Sequence, residues 1–282
     1  MHAYLNGTFL SKEDVRISPE DRGFLFADGV YEVILAHDGR LFRQKAHMDR
    51  LRSSLAGLRI EASASDLAEL DAAAEGLLAM NVLTQGPATV YMQVTRGVAP
   101  RKHPFPAEPL APTIYASASR FVPDEWGWEN GVSAVTVPDI RWTRCDLKTV
   151  ALTANVLASQ QAAEAGAKEA LFVRDGMITE GAHTSFAAVF DGVVWTYPEC
   201  PYILPGITRR TVLTLCARMG IPVREYPIHR DRMGGATEAM LLGTTTEVMP
   251  VVAMDGAPVG AGTPGPVTRK LQTALRREIR GA

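Results

Sequence analysis

Apolar and polar positions alternate in short runs along much of the chain, and two-residue turn signals break the runs. "AYLNGTFL" sets Asn6-Gly7 between two such runs, and "VYEVILAHDGRLFR" sets Asp38-Gly39 there. Both read as β-hairpins. "KAHMDRLRSSLAGL" changes the period. Its His47, Met48, Leu51, Leu55 and Leu58 recur at helical intervals. "SASDLAELDAAAEGLLAM" reads as a second helix, with Ser63 or Ser65 as its cap. "ATVYMQVTRG" reads as a strand, which the proline-rich "PRKHPFPAEPLAP" cannot continue.

The pattern loosens around "SRFVPDEWGWENG". A linker is expected over 119–131, between a small α/β domain (1–118) and a larger domain (132–282). In the larger domain "VSAVTVP" predicts a strand, and a helix is expected over 149–165, ending at Gly166. "EALFVRDGMITEG" and "SFAAVFDGVVWTY" predict hairpins. "GITRRTVLTLCARMG" predicts a helix with Val212, Leu213, Leu215, Cys216 and Met219 on its apolar side. The strands "EAMLLG" and "TEVMPVVAMDG" follow, then the basic helix "VTRKLQTALRREIRG", read as a solvated face. Many hairpins and no regular βαβ alternation make the class α+β. The absence of a G-x-G-x-x-G fingerprint argues against a dinucleotide fold.

Composition narrows the partners. A length of 282 residues suits one large or two smaller domains, and 46% hydrophobic with 21% charged residues suits a soluble protein. A net charge of −2 points to neither nucleic acid nor an acidic membrane surface. No signal-like start or spanning run is evident, so a cytoplasmic location is expected. Cys145, Cys200 and Cys216 are scattered, as free thiols of a reducing compartment are, and show no metal spacing.

Lysine is scarce, at 6 against 23 arginines, and Lys148 stands at the mouth of a stretch, 149–163, without an ionisable side chain. A charge there costs free energy unless it is paired or neutralised. Three features could each meet an anion. Gly206-Ile207-Thr208 opens a helix. "GTTTE" (243–247) gathers three hydroxyls in a turn. Arg50 adds a guanidinium, which by itself reads as a surface ion pair. Taken singly, each also has an ordinary reading as a cap, a turn or a surface pair.

"DRGFLFADGVYEVI", "HMDRL", "DLKT", "ITEG", "LPGITRR" and "GTTTEVMPV" occur in this order. Together they resemble the fold-type IV aminotransferases, which use pyridoxal phosphate, and the resemblance covers essentially the whole chain. It implies the two-domain architecture of that family, a smaller N-terminal α/β domain and a larger mixed α/β pseudo-barrel. It makes Lys148 the lysine that forms the Schiff base and moves the proton. Glu180 matches the carboxylate partner of the pyridine nitrogen. Arg50, Ile207, Thr208, Thr244 and Thr245 match phosphate contacts, and Leu204 matches an apolar residue against the ring.

The loop "TRGVAPRKHPFP" is similar to that of the D-amino acid aminotransferases. Arg101 and His103, with Tyr31, match their carboxylate-binding group, and Val33 falls in the substrate pocket. The resemblance implies transamination of a D-alanine- or D-glutamate-type amino acid with a 2-oxo acid in ping-pong half-reactions. It also implies a homodimer, with the Arg101/His103 loop reaching the neighbouring subunit. A branched-chain L-amino acid aminotransferase and an aminodeoxychorismate lyase are the alternatives. One departure is "AHTSF" after Gly181, where close D-amino acid relatives carry serines. His183 in it is read as filling space beside the site.

Overall fold

The computed structural model describes residues 1–281. The chain divides into two units, 1–123 with 147–151, and 124–146 with 152 onward.

The first unit is a six-stranded antiparallel sheet carrying two long helices. Its strands are β1 (His2–Leu5), β2 (Thr8–Ser11), β3 (Gly29–His37), β4 (Arg40–Leu41), β5 (Pro87–Thr95) and β6 (Thr113–Arg120). Their order is β2-β1-β6-β5-β3-β4. A short helix, α1 (Arg22–Phe26), precedes β3, and α2 (Gln44–Leu58) and α3 (Ala64–Met80) lie between β4 and β5. Both expected hairpins form, with Asn6 and Asp38 in the left-handed region that their turns require. Ser63 caps α3 in a reciprocal capping box with Asp66.

Strand alternation sets the two faces of this sheet. Val30, Ile34 and Ala36 of β3, with Val90, Met92 and Val94 of β5, join Met48, Leu51, Leu70 and Leu77 in one core. Burying an aliphatic side chain of this size is worth about 1.5–3 kcal/mol. The opposite face carries Tyr31, Val33, Tyr91, Gln93 and Tyr115. Tyr31 and Tyr91 stack there at 5.8 Å between ring centroids.

The second unit is built on a ten-stranded mixed sheet. Its elements are α4 (Glu125–Asn130), β7 (Val132–Pro138), α5 (Thr153–Glu164), β8 (Glu169–Arg174), β9 (Met177–Gly181), β10 (Ser185–Phe190) and β11 (Val193–Thr196). They continue with α6 (Ile207–Arg218), β12 (Val223–Glu225), β13 (Ile228–His229), β14 (Glu238–Gly243), β15 (Glu247–Met254), β16 (Ala257–Pro258) and α7 (Pro266–Arg280). The order is β12-β11-β10-β14-β15-β7-β8-β9-β13, with β16 on β15. In α7, Leu271, Leu275 and Ile279 are buried and the basic residues occupy the remaining surface, so only part of this helix is solvated. Among the described residues no helix is long and apolar enough to cross a membrane.

Four expectations need correction. The helix expected from residue 149 begins at Thr153, because Thr149 is bridged to Val30 and Val150 N–H donates to Gly29 O. The segment 147–151 therefore belongs to the first unit rather than to a domain running from 132. The first unit gives way to the second inside the expected stretch 119–131, between Pro123 and Asp124, but most of that stretch lies in regular elements rather than in a linker. Ser119 and Arg120 complete β6, and Asp124 caps α4 by accepting from Gly127 N–H. Met219 lies just past the end of α6 and is 41% exposed, while Leu213 is half-buried. The apolar side of that helix is Val212, Leu215 and Cys216, together with the buried Ile207 and Thr208.

Candidate active site

The segment 147–151, pinned by the isolated bridge between Thr149 and Val30, fixes where Lys148 stands. Lys148 N–H donates to Ser54 Oγ (3.1 Å), and its carbonyl accepts from Tyr31 N–H (3.0 Å). Its half-buried side chain brings Nζ to 4.1 Å from the centroid of the Tyr31 ring, a cation–π distance. Tyr31 and Val33 share the open face of β3. Glu32, one residue out of step, falls on the core face and is fully enclosed.

A carboxylate on an apolar face needs partners, and α2 supplies two. Arg50 grips Glu32 with Nε and Nη2, at 2.7 and 2.8 Å, and His47 Nδ1 lies 2.7 Å from the same carboxylate. Burial pulls Glu32 upward, but the Arg50 charge and the hydrogen bonds from Arg50 and His47 outweigh it and hold it at about 2. Burial pushes His47 down, against the pull of Glu32. The Arg50 pair is thus a buried one and not a surface pair. Arg101 and His103 are exposed in the segment after β5, and both rings and charges there gather on Phe26. Arg101 Cζ is 5.3 Å from the Phe26 centroid, and the His103 ring is 5.4 Å from it.

In the second unit the end of β9 presents Glu180. Its Oε2 accepts from Leu204 N–H (3.0 Å) and its Oε1 from Arg141 Nη1 (2.6 Å). Burial pushes the Glu180 carboxyl up to about 7, and the Arg141 charge and hydrogen bond restrain the rise. Arg141 is itself held by the fully enclosed Asp139, through Nε at 2.9 Å and Nη2 at 3.1 Å. It also lies 4.1 Å from the Phe172 ring centroid. Burial pulls Arg141 down, but Asp139 and Glu180 leave it more firmly protonated than an ordinary arginine.

Four expected phosphate contacts, Ile207, Thr208, Thr244 and Thr245, belong to segments that meet around the start of β10. Gly206 is the N-cap of α6 and provides no side-chain cap, so the first-turn N–H groups of Ile207 and Thr208 have no such partner. A Cβ on Gly206 would lie 2.6 Å from Ser185 Oγ, so this backbone approaches β10 closely. Ser185 pairs with Leu242, two residues before the turn that carries Thr244 and Thr245. The third hydroxyl of that turn belongs to Thr246, whose carbonyl is tied to Trp128 Nε1 at 2.9 Å. Helix N–H groups and neighbouring hydroxyls are the donor set for a phosphate ester, and a glycine leaves space for it. The residues therefore fit pyridoxal phosphate on both counts, an enclosed carboxylate and an anion cradle in one unit.

Sequence reasoning did not find Arg141, Asp139, Glu32 or His47 as site residues. Glu32 carried a signal, a charge at a core position of an alternating strand. Arg141 carried none. His183 is 55% exposed, with Nδ1 3.0 Å from the buried Glu169. It therefore makes a polar contact with that carboxylate in addition to occupying space there. Among the described residues no group of His, Cys, Asp or Glu is arranged to hold a metal.

The model of the amino-transferase class IV family matches residues 29–254. The D-alanine aminotransferase of Bacillus licheniformis is 41% identical over 279 residues, 99% of this chain and 97% of that protein. That of Staphylococcus haemolyticus is 39% identical, over 98% and 97%. Among solved structures, the branched-chain amino acid aminotransferase of Escherichia coli superposes with a TM-score of 0.91 at 27% identity, covering 99% of this chain and 95% of that one. A branched-chain aminotransferase from Thermoproteus uzoniensis gives 0.88 at 25% identity, over 100% and 95%. Matched from the start of β3 to the end of β15, the chain belongs to the class IV aminotransferases, and it is a pyridoxal-phosphate-dependent enzyme of the fold-type IV architecture.

Proposed function

We propose that this enzyme moves the amino group of a D-amino acid, of the D-alanine or D-glutamate type, to a 2-oxo acid. The observation that carries the reading is identity of about 40% over nearly the full chain to proteins named D-alanine aminotransferases. The branched-chain aminotransferases match at 25–27%. That difference favours the D-amino acid reading over a branched-chain one.

Pyridoxal phosphate, when bound, supplies an aldehyde for the amino group and a ring that accepts electrons from the substrate Cα. Lys148 Nζ is the amine that holds the cofactor and the general base that takes the Cα proton. Glu180 keeps the ring nitrogen protonated. A cation beside it favours the ionised carboxylate, against the burial that pushes Glu180 to about 7. Ile207 and Thr208 at the α6 N-terminus, Thr244, Thr245 and Arg50 bind the phosphate, and Leu204 packs on the ring. Tyr31, Arg101 and His103 bind the substrate carboxylate, and Val33 borders its side chain. Fixing the amine, the carboxylate and the base at three points determines which enantiomer offers its Cα–H to Lys148. The enzyme works as a homodimer in which the Arg101/His103 loop serves the neighbouring subunit, and it resides in the cytoplasm.

Separate incubations with D-alanine, L-alanine, D-glutamate and L-leucine, each with pyruvate or 2-oxoglutarate as acceptor, test the substrate class. New keto acid should appear with the D-amino acids. Turnover of L-leucine without D-alanine would replace this reading with the branched-chain one.

A further inference from the structure

The motif "DRGFLFAD" (21–28) takes no part in the chemistry above, yet it surrounds the Arg101/His103 segment. Arg22 is 3% exposed, and its guanidinium is spent on that segment. Nη1 donates to Lys102 O (2.7 Å) and Nη2 to His103 O (3.3 Å), while Nε is held by Asp28 (2.9 Å). In an extended strand successive carbonyls point to opposite sides. One planar guanidinium can therefore serve both only if the segment is turned. Phe26, at the end of α1, adds the second half of the clamp. Its ring lies 4.9 Å from Arg22 Cζ, on the side-chain cluster that already includes Arg101 and His103.

The downstream side is anchored as well. Arg96 grips Asp28 with Nε (2.7 Å) and Nη2 (2.9 Å), and its guanidinium lies 3.8 Å from the Phe105 centroid. Asp28 is thus shared by two guanidiniums, one holding the carbonyls at 102 and 103 and one stacked under residue 105. Burial works against the Asp28 carboxylate, but the two arginines keep it below the usual carboxylate range, so the hub stays charged. Without these contacts, exposed Arg101 and His103 would sit on a segment of 96–112 that has no helix or strand of its own.

We infer that Arg22 and Phe26 are positioning residues for carboxylate recognition, holding the 101–103 turn so that Arg101 and His103 present their donors together. The inference rests on the reading of Arg101 and His103 as the carboxylate-binding pair. It gives the motif a role in substrate affinity, exercised through the backbone carbonyls of the recognition loop.

The test uses the holoenzyme with Arg22→Met, Arg22→Lys, Arg101→Ala and the Arg22→Met/Arg101→Ala double variant. The probes are the KM for D-alanine and the Kd of D-lactate, an unreactive 2-hydroxy acid of the same hand, measured by calorimetry. Arg22→Met should weaken both by about tenfold, with kcat changing less than KM. Arg22→Lys, a point charge able to serve one carbonyl, should fall between Arg22→Met and the parent. The double variant should lose less D-lactate affinity than the product of the two single losses, because part of the Arg22 effect is exercised through Arg101 and only the part exercised through His103 remains.

The positioning role is overturned if Arg101→Ala weakens D-lactate while Arg22→Met leaves it unchanged, or if the two losses multiply. Unchanged binding in Arg101→Ala would remove the carboxylate reading itself, and the positioning role with it. Should Arg22→Met fail to give soluble holoenzyme, Phe26→Leu keeps an apolar residue at the site and removes the aromatic surface. The same D-lactate measurement on it, alone and combined with Arg101→Ala, decides the matter.

Discussion

Arg141 Nη1 stands 2.6 Å from Glu180 Oε1, with both side chains almost entirely enclosed. Burial alone would make this carboxyl a neutral acid at physiological pH. The guanidinium opposes that, and Asp139 keeps the guanidinium in place on its other edge. Arg174 reaches the same aspartate through Nε at 3.1 Å. Two carboxylates and two arginines thus form one buried chain of charge ending at the group proposed to face the cofactor ring. Removing one member of such a chain strands the others.

Arg141→Met should therefore lower stability by about 3–5 kcal/mol, the usual cost of orphaning a buried charge. Chemical denaturation measures it. The same variant should need a higher pH for activity, because Glu180 without its cation ionises less readily. An unchanged acid limb in the pH–rate profile would show that Arg141 does not govern Glu180.

Ionised Glu180 is a burden on the cofactor-free fold. Its folded pKa, about 7, lies above the 4.5 of an ordinary glutamate. The favourable contribution is complete below the unfolded value and is lost as pH rises through about 7. Glu180→Gln mimics the neutral form. Between pH 4.5 and 8 the variant should gain on the parent by about 3 kcal/mol. Paired denaturation curves across that range provide the check, and a constant difference would contradict it.

Glu32 has the opposite sign. It is held at about 2, below the 4.5 of an ordinary glutamate, so its stabilisation is present above 4.5 and disappears as pH falls through about 2. Glu32→Gln should cost about 3–5 kcal/mol at neutral pH, since Arg50 loses its counter-charge. The gap to the parent should close on acidification, and melting temperatures measured from pH 7 to pH 2 should converge.

Lys148→Ala removes the only side-chain amine on the segment 147–151. Transamination should fall to a negligible level, and the borohydride-sensitive visible band of the parent should vanish. Appreciable turnover in this variant would move the chemistry to another group.

Arg101→Ala should lower kcat/KM for D-alanine by roughly tenfold to a hundredfold. This corresponds to about 1.5–3 kcal/mol for a charge-assisted hydrogen bond. Initial-rate kinetics over a range of D-alanine concentrations read it directly, and an unaltered value would exclude the carboxylate role.

Most elements were legible because period and punctuation are local properties. The hairpins at Asn6-Gly7 and Asp38-Gly39, the Ser63 cap and the α2 stripe follow from a few neighbouring residues each. Where tertiary pairing competed with local pattern, the pattern misled. Residues 149–152 continue the uncharged run of the helix that follows, but the hydrogen bond from Val150 N–H to Gly29 O and the bridge from Thr149 to Val30 keep the start of that run out of the helix. Met219 extends an apolar pattern past the point where α6 ends, so it finds no core to enter.

The chain alone therefore determined the α+β class, the faces of most helices and strands, and the residue types from which a phosphate cradle could be made. Spacing in sequence carries that information, since helix and strand periods are set by the backbone. Tertiary structure decided which charges meet. Glu32 and Arg50 are 18 positions apart, Arg141 and Glu180 39, and Asp28 and Arg96 68. A charge pair records nothing in the residues between its partners. Only the folded backbone, by excluding water from both at one place, makes each the other's necessary partner.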